Sequence, residues 1–202
     1  FYVHELEVLR DDLAKLRGKP ISDVDLNASI RVYNDNRAAV RDLYAYRSDK
    51  PWQAPTSEVY LVLRAGMVLP PDEHTRLIRE YIAAADAVPR AKRDNARVVL
   101  TGSFCEQPPL GLIKSIEMSG CYIVDDDFML ITRWLQDDVP ADGNPLEELS
   151  KAFLHKSAST AARYDAMRED KGVFLLKQVK TRGAEGVVFA APSFCDPALL
   201  ER

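Results

Sequence analysis

Two short stretches of this chain set a thiol beside an acid. One reads GSFCE at residues 102–106, which puts Cys105 next to Glu106; the other reads SFCD at residues 193–196, with Cys195 next to Asp196. Each follows an apolar run too short for an ordinary helix, Val98-Val99-Leu100 in the first case and Val187-Val188-Phe189-Ala190-Ala191 in the second. Such runs read as buried parallel strands, and open α/β sheets bind ligands where their strands end. A thiol delivered there has three readings. It can be a nucleophile once its proton is lost. It can be one ligand of a metal cluster completed elsewhere. It can also be a small buried hydrophobe.

The chain has three cysteines, which invites a single three-thiolate site. Geometry argues against it. Cys121 precedes its strand, Cys121-Tyr122-Ile123-Val124-Asp125, whereas Cys105 and Cys195 follow theirs. Five residues at ~3.3 Å each separate Cys121 from the far edge by roughly 15 Å or more, so it reads as core. Asp125, Asp126 and Asp127 do fall at that edge. Three carboxylates there could hold Mg²⁺ or pair with Arg133, or one could cap a following helix. We expect a structural role for two of the three. The histidines, His4, His74 and His155, lie in helical stretches, and no HExxH, Walker or GxGxxG pattern occurs. Gly102-Ser103 is weak evidence for phosphate binding.

The elements that must position these groups are legible from periodicity. Leu6, Leu9, Leu13 and Leu16 form one helical stripe, ended by Gly18 and Pro20. Ser22 can cap a second helix, with Asp23 and Asp25 in its first turn. That helix carries Leu26, Ile30, Tyr33, Val40 and Leu43 on one face and Arg31, Asn34, Asn36, Arg37 and Arg41 between them. The polar set reads as solvated or as a contact face for a neighbouring domain. Thr56 or Ser57 caps a third helix, and Pro70-Pro71 opens a fourth. From Val98 strands and helices alternate, with helices beginning near Pro109 and Pro145, a stretch from Ser159 to Gly172, and a last helix ending at Gly183. Residues 128–135 lean to helix. Strands alternating with helices imply parallel pairing through right-handed crossovers. The expected architecture is α/β: a helical segment over 1–90, then a Rossmann- or flavodoxin-like parallel-sheet domain over 91–202, cut short at its C-terminus.

Bulk properties exclude several classes. Hydrophobic residues make up 47% and charged residues 29% of 202, and the net charge is −4. These suit a globular protein with no pull toward nucleic acid. No apolar run reaches the ~20 residues a membrane helix needs, and no secretory signal is visible. So few cysteines make no disulfide framework, which fits a reducing cytoplasm. Phe1 stands where an initiator methionine would, and Leu199-Leu200-Glu201-Arg202 reads as a helix just begun, so we expect a fragment of a longer polypeptide.

Four stretches together, RVYNDNR at 31–37, GSFCEQPP at 102–109, VDDD at 124–127 and AAPSFCDP at 190–197, resemble the family of 2-hydroxyacyl-CoA dehydratases and benzoyl-CoA reductases. The resemblance covers nearly the whole chain and is stronger toward the reductases. It implies related catalytic subunits in pairs, each holding a [4Fe–4S] cluster through three cysteines. Cys195 matches the cluster ligand of the family's late Phe-Cys-Asp motif; the other ligands are expected upstream of Phe1. Electrons are expected from ferredoxin through a separate iron–sulfur activator, the only component to use ATP. The implied activity is ATP-driven reductive dearomatisation of benzoyl-CoA, an acyl-CoA substrate. Ser103, Cys105 and Glu106 are expected to line its pocket. The alternatives are a 2-hydroxyacyl-CoA dehydratase subunit and an interface domain without chemistry of its own. Relatives often carry a cysteine after the Asp-Asp motif, where this chain has Phe128 and Met129. That departure counts against a second metal site at Asp125 to Asp127.

Overall fold

The structure is a computed structural model, and it describes residues 1–102, 108–127, 137–155 and 172–196. The expected helices at 128–135 and from Ser159, and the pocket candidates Ser103, Cys105 and Glu106, lie outside the described residues.

Four helices come first: α1 (Tyr2–Arg17), α2 (Asp23–Asp49), α3 (Thr56–Ala65) and α4 (Pro71–Ala87). Ser22 caps α2 through a full capping box: its Oγ accepts from the Asp25 amide at 3.2 Å, and Asp25 Oδ2 accepts from the Ser22 amide at 3.1 Å. Thr56, an expected cap, does something else. Its hydroxyl donates 2.9 Å to the carbonyl of Ile123, a strand residue, and so ties α3 to the sheet. Leu43, Val59 and Ile78 lock α2, α3 and α4 into one apolar cluster. Each is fully buried and stabilises the fold by roughly 1.5–3 kcal/mol. The α1 stripe is different: Leu9, Leu13 and Leu16 are exposed, and α1 meets α6 (Pro145–His155) through Tyr2 stacked on Phe153, ring centroids 5.0 Å apart.

The remaining elements are β1 (Ala96–Thr101), α5 (Leu110–Met118), β2 (Cys121–Asp126), α7 (Val173–Arg182) and β3 (Gly186–Phe189). The three strands form one parallel sheet in the order β2-β1-β3. This bears out the α/β class, with helices first and a parallel sheet after them. Val98 and Leu100 of β1, Ile123 of β2 and Ile113 of α5 make the second core cluster, and Tyr60 of α3 joins it. Asn144 accepts from the amides of Leu146 and Glu147 at 3.1 and 3.3 Å and starts α6 as expected. No helix among the described residues is long and apolar enough to cross a membrane.

Part of the polar face of α2 packs within the chain rather than facing water. It grips residues 138–143. Asn34 donates from Nδ2 to the Val139 carbonyl at 2.8 Å and accepts from the Val139 amide at 2.9 Å. Arg31 donates to the Ala141 carbonyl at 2.8 Å, Arg41 pairs with Asp138 at 2.9 Å, and Asn27 reaches the Gly143 carbonyl at 3.2 Å. An irregular segment has no ladder for its backbone groups, and these side chains supply their partners.

Candidate functional site at the carboxyl edge of the sheet

In the order β2-β1-β3 the chain leaves central β1 to one side and returns on the other. In open α/β sheets the ligand crevice lies beside such a reversal, which here falls at the carboxyl ends of β1 and β3. Gly102 follows β1 there with φ +98, and a Cβ on it would stand 2.8 Å from the Phe189 ring. Glycine is needed on both counts. The Ala190 amide donates to the Thr101 carbonyl at 2.8 Å, so the two strand exits stay side by side.

Beyond β3 the chain turns through Pro192, Ser193, Phe194 and Cys195, closed by the Cys195 amide donating to the Pro192 carbonyl at 3.2 Å. Phe194 sits at φ +65, a left-handed value rare for a bulky residue and normally filled by glycine in such a turn. The turn sends Phe194 outward, 97% exposed, and leaves Cys195 buried at 9%. Neither Cys195 nor Cys121 is in a disulfide. Cys121 opens β2 at the opposite edge, as expected, though it is only half-buried there and packs beside the second core cluster.

The three carboxylates at the end of β2 are all buried, and side chains hold each of them. Arg47 Nη1 reaches Asp126 Oδ2 at 2.7 Å, and the Tyr44 hydroxyl donates to Asp126 Oδ1 at 2.8 Å. Arg47 also lies over the Tyr44 ring, 4.4 Å from its centroid. Arg182 Nε donates to Asp125 Oδ2 at 2.8 Å, with Arg47 Nη2 3.8 Å from Asp125 Oδ1. Thr101 donates to Asp127 Oδ2 at 2.8 Å, and Gln178 Nε2 to the Asp126 carbonyl at 3.1 Å. A register shift beside Val98 and Val99 in the β1–β2 pairing lets neighbouring residues of β2 serve α2, α7 and β1. Burial, then the Asp126 charge, pushes the Tyr44 hydroxyl well above the ordinary tyrosine range. Burial works against the Arg47 charge, but Asp126 overcomes it and holds the guanidinium above its usual value.

Asp125 and Asp126 are therefore buried arginine partners, a structural role of another kind than the helix cap considered from sequence. The partner of Asp125 is Arg182; Arg133, considered from sequence, lies outside the described residues. Arg47, Tyr44 and Arg182 are the residues sequence reasoning passed over. A signal existed: Arg47 falls on the same face of α2 as Val40, Leu43 and Tyr44, and an arginine on an apolar face calls for a buried acid.

Among the described residues no three His, Cys, Asp or Glu side chains gather as metal ligands. Cys195 suits one ligand position: it is a buried thiol turned in from a strained loop at the ligand edge. The described residues supply no second thiol there, so they do not hold an iron–sulfur cluster by themselves.

A family model described as 2-hydroxyglutaryl-CoA dehydratase, D-component, matches residues 1–202. The chain is 59% identical over 202 residues to a benzoyl-CoA reductase subunit from Thauera aromatica, covering 100% of this chain and 52% of that protein. It is 31% identical over 198 residues to lactoyl-CoA dehydratase subunit beta of Anaerotignum propionicum, covering 98% of this chain and 52% of that protein. Against (R)-2-hydroxyglutaryl-CoA dehydratase, subunit beta, of Acidaminococcus fermentans the identity is 29% over 196 residues, covering 96% and 51%. The chain thus spans about half the length of the relatives it matches.

Proposed function

The chain belongs to the 2-hydroxyglutaryl-CoA dehydratase D-component family, and from that premise we propose that it is part of a catalytic subunit of a benzoyl-CoA reductase. The observation that carries this reading is the 59% identity to the Thauera aromatica reductase subunit along the whole chain, against 31% and 29% to the two dehydratase subunits. We assign Cys195 as one thiolate ligand of a [4Fe–4S] cluster whose other ligands come from polypeptide beyond these residues. When bound, such a cluster supplies low-potential single electrons to a thioester carbonyl.

What this chain contributes is position. The turn at 192–195 presents the thiol at the crevice between β1 and β3. Gly102 keeps the β1 exit narrow against Phe189. Ser103, Cys105 and Glu106 follow it in sequence, and we assign them to the wall of the substrate pocket. The Arg47–Asp126 pair ties α2 to the end of β2 and occupies that carboxylate. The reading includes a related second catalytic subunit, an ATP-hydrolysing iron–sulfur activator and ferredoxin as partners, in the cytoplasm.

The test is the substrate. The full-length subunit, assembled with its partner and activator, is given ATP, reductant and either benzoyl-CoA or a 2-hydroxyacyl-CoA. Reduction of the aromatic ring without loss of water from the hydroxyacyl substrate is the expected result. Dehydration alone would assign the chain to the dehydratases, and no turnover of either would leave an interface role.

A further inference from the structure

At the opposite edge of the sheet, where β2 begins, lies a cavity of about 360 Å³. It is separate from the Cys195 crevice by the length of β2, and none of the chemistry above uses it. Its size is that of a small-ligand site. Trp52 and Tyr122 line it, with ring centroids 6.5 Å apart at 58°. Lys92 Nζ already rests over the Trp52 ring, 4.8 Å from its centroid, so that face accepts a cation or a flat group. Arg93 and Asn95 line the cavity too, and among the described residues neither side chain has a hydrogen-bond or ionic partner. The segment before Asn95 is nonetheless held: the Tyr122 hydroxyl accepts from the Arg93 amide at 2.7 Å, and the Arg90 amide is held by Gln53 Oε1. Glu117 brings a carboxylate, anchored by the Ser57 amide at 3.2 Å.

We propose that this cleft binds an adenine nucleotide. The residue types match its three parts. The Trp52 ring face suits the flat base in place of the Lys92 ammonium that now covers it, and the Asn95 amide can read its edge. The Glu117 carboxylate suits ribose hydroxyls, as an acid does in dinucleotide sites. Lys92 and Arg93 suit phosphate. The nucleotide has two sources with this shared chemistry: a free nucleoside diphosphate, or the nucleotide end of coenzyme A. Only the second source rests on the function proposed above.

The full-length subunit is titrated calorimetrically with ADP, adenosine 3′,5′-bisphosphate, coenzyme A and pantetheine, as wild type and as Arg93→Glu and Trp52→Leu. Arg93 is exposed, so its variant tests binding without threatening the fold. Saturable binding of the adenine compounds, weakened about tenfold or more by Arg93→Glu and with pantetheine silent, is the expected result. Coenzyme A binding more tightly than ADP assigns the coenzyme as the source; the reverse assigns a free nucleotide. No saturation at millimolar concentration, binding unaffected by both substitutions, or pantetheine binding as well as coenzyme A would overturn the proposal. Iron content, measured on the same samples, reports on the Cys195 reading separately.

Discussion

Arg47 Nη1 stands 2.7 Å from Asp126 Oδ2, and solvent reaches neither side chain. The two residues lie 79 positions apart, on α2 and β2. This contact joins the helical part of the chain to the carboxyl end of a strand at the ligand edge.

Breaking the pair from one side leaves a charge buried without its partner. Arg47→Met is expected to lower unfolding stability of the full-length protein by about 3–5 kcal/mol, read from urea midpoints. Pairing it with Asp126→Asn should recover part of that loss, because the stranded carboxylate is removed. A double variant no better than Arg47→Met would show that Asp126 is not its partner.

Gly102→Ala places a Cβ 2.8 Å from the Phe189 ring at a backbone angle that alanine adopts with strain. The expected cost is about 1–3 kcal/mol, with a larger fractional loss of catalytic activity than of folded protein. Equal losses would mean that Gly102 serves only the fold.

His74 gives a pH dependence of known sign. It is buried among α2, α3 and α4; its Nε2 donates to the Val62 carbonyl at 3.0 Å and its Nδ1 accepts from Asn36 Nδ2 at 3.0 Å, a tautomer assigned from these partners. Burial holds its pKa below the ordinary histidine value. The unfolded imidazole protonates near about pH 6.5, before the folded one does. Stability from this group is complete above that pH and is lost as pH falls toward the lower folded pKa. Melting temperatures at pH 7.5 and 5.5 should differ more in the wild type than in His74→Gln. An equal difference in both would remove His74 as the cause.

How much of this was legible depended on range in sequence. The Ser22 capping box and the Asn144 cap are local, three residues or fewer across, and their residue types announce them. Parallel pairing followed from strands alternating with helices. The Asn34 clamp on Val139 spans 105 residues and joins a helix to an irregular segment that has no periodicity to read. A polar helix face therefore looked solvated. The triple aspartate left a metal site open as one reading because a run of acids shows its charge but not its counter-ions, and Arg182 is 57 residues away on another element. The place of the Cys195 thiol beyond β3 is visible in the apolar run before it; the role proposed for it needed the likeness to known proteins.

The central claim is that Cys195 binds iron, and it is tested most directly by iron and acid-labile sulfide analysis of the full-length subunit, prepared without oxygen, as wild type and as Cys195→Ser. The account predicts close to four irons and four sulfides per site in the wild type and a large loss of both in the variant, with the fold intact by circular dichroism. Equal iron and sulfide in the two proteins would contradict it.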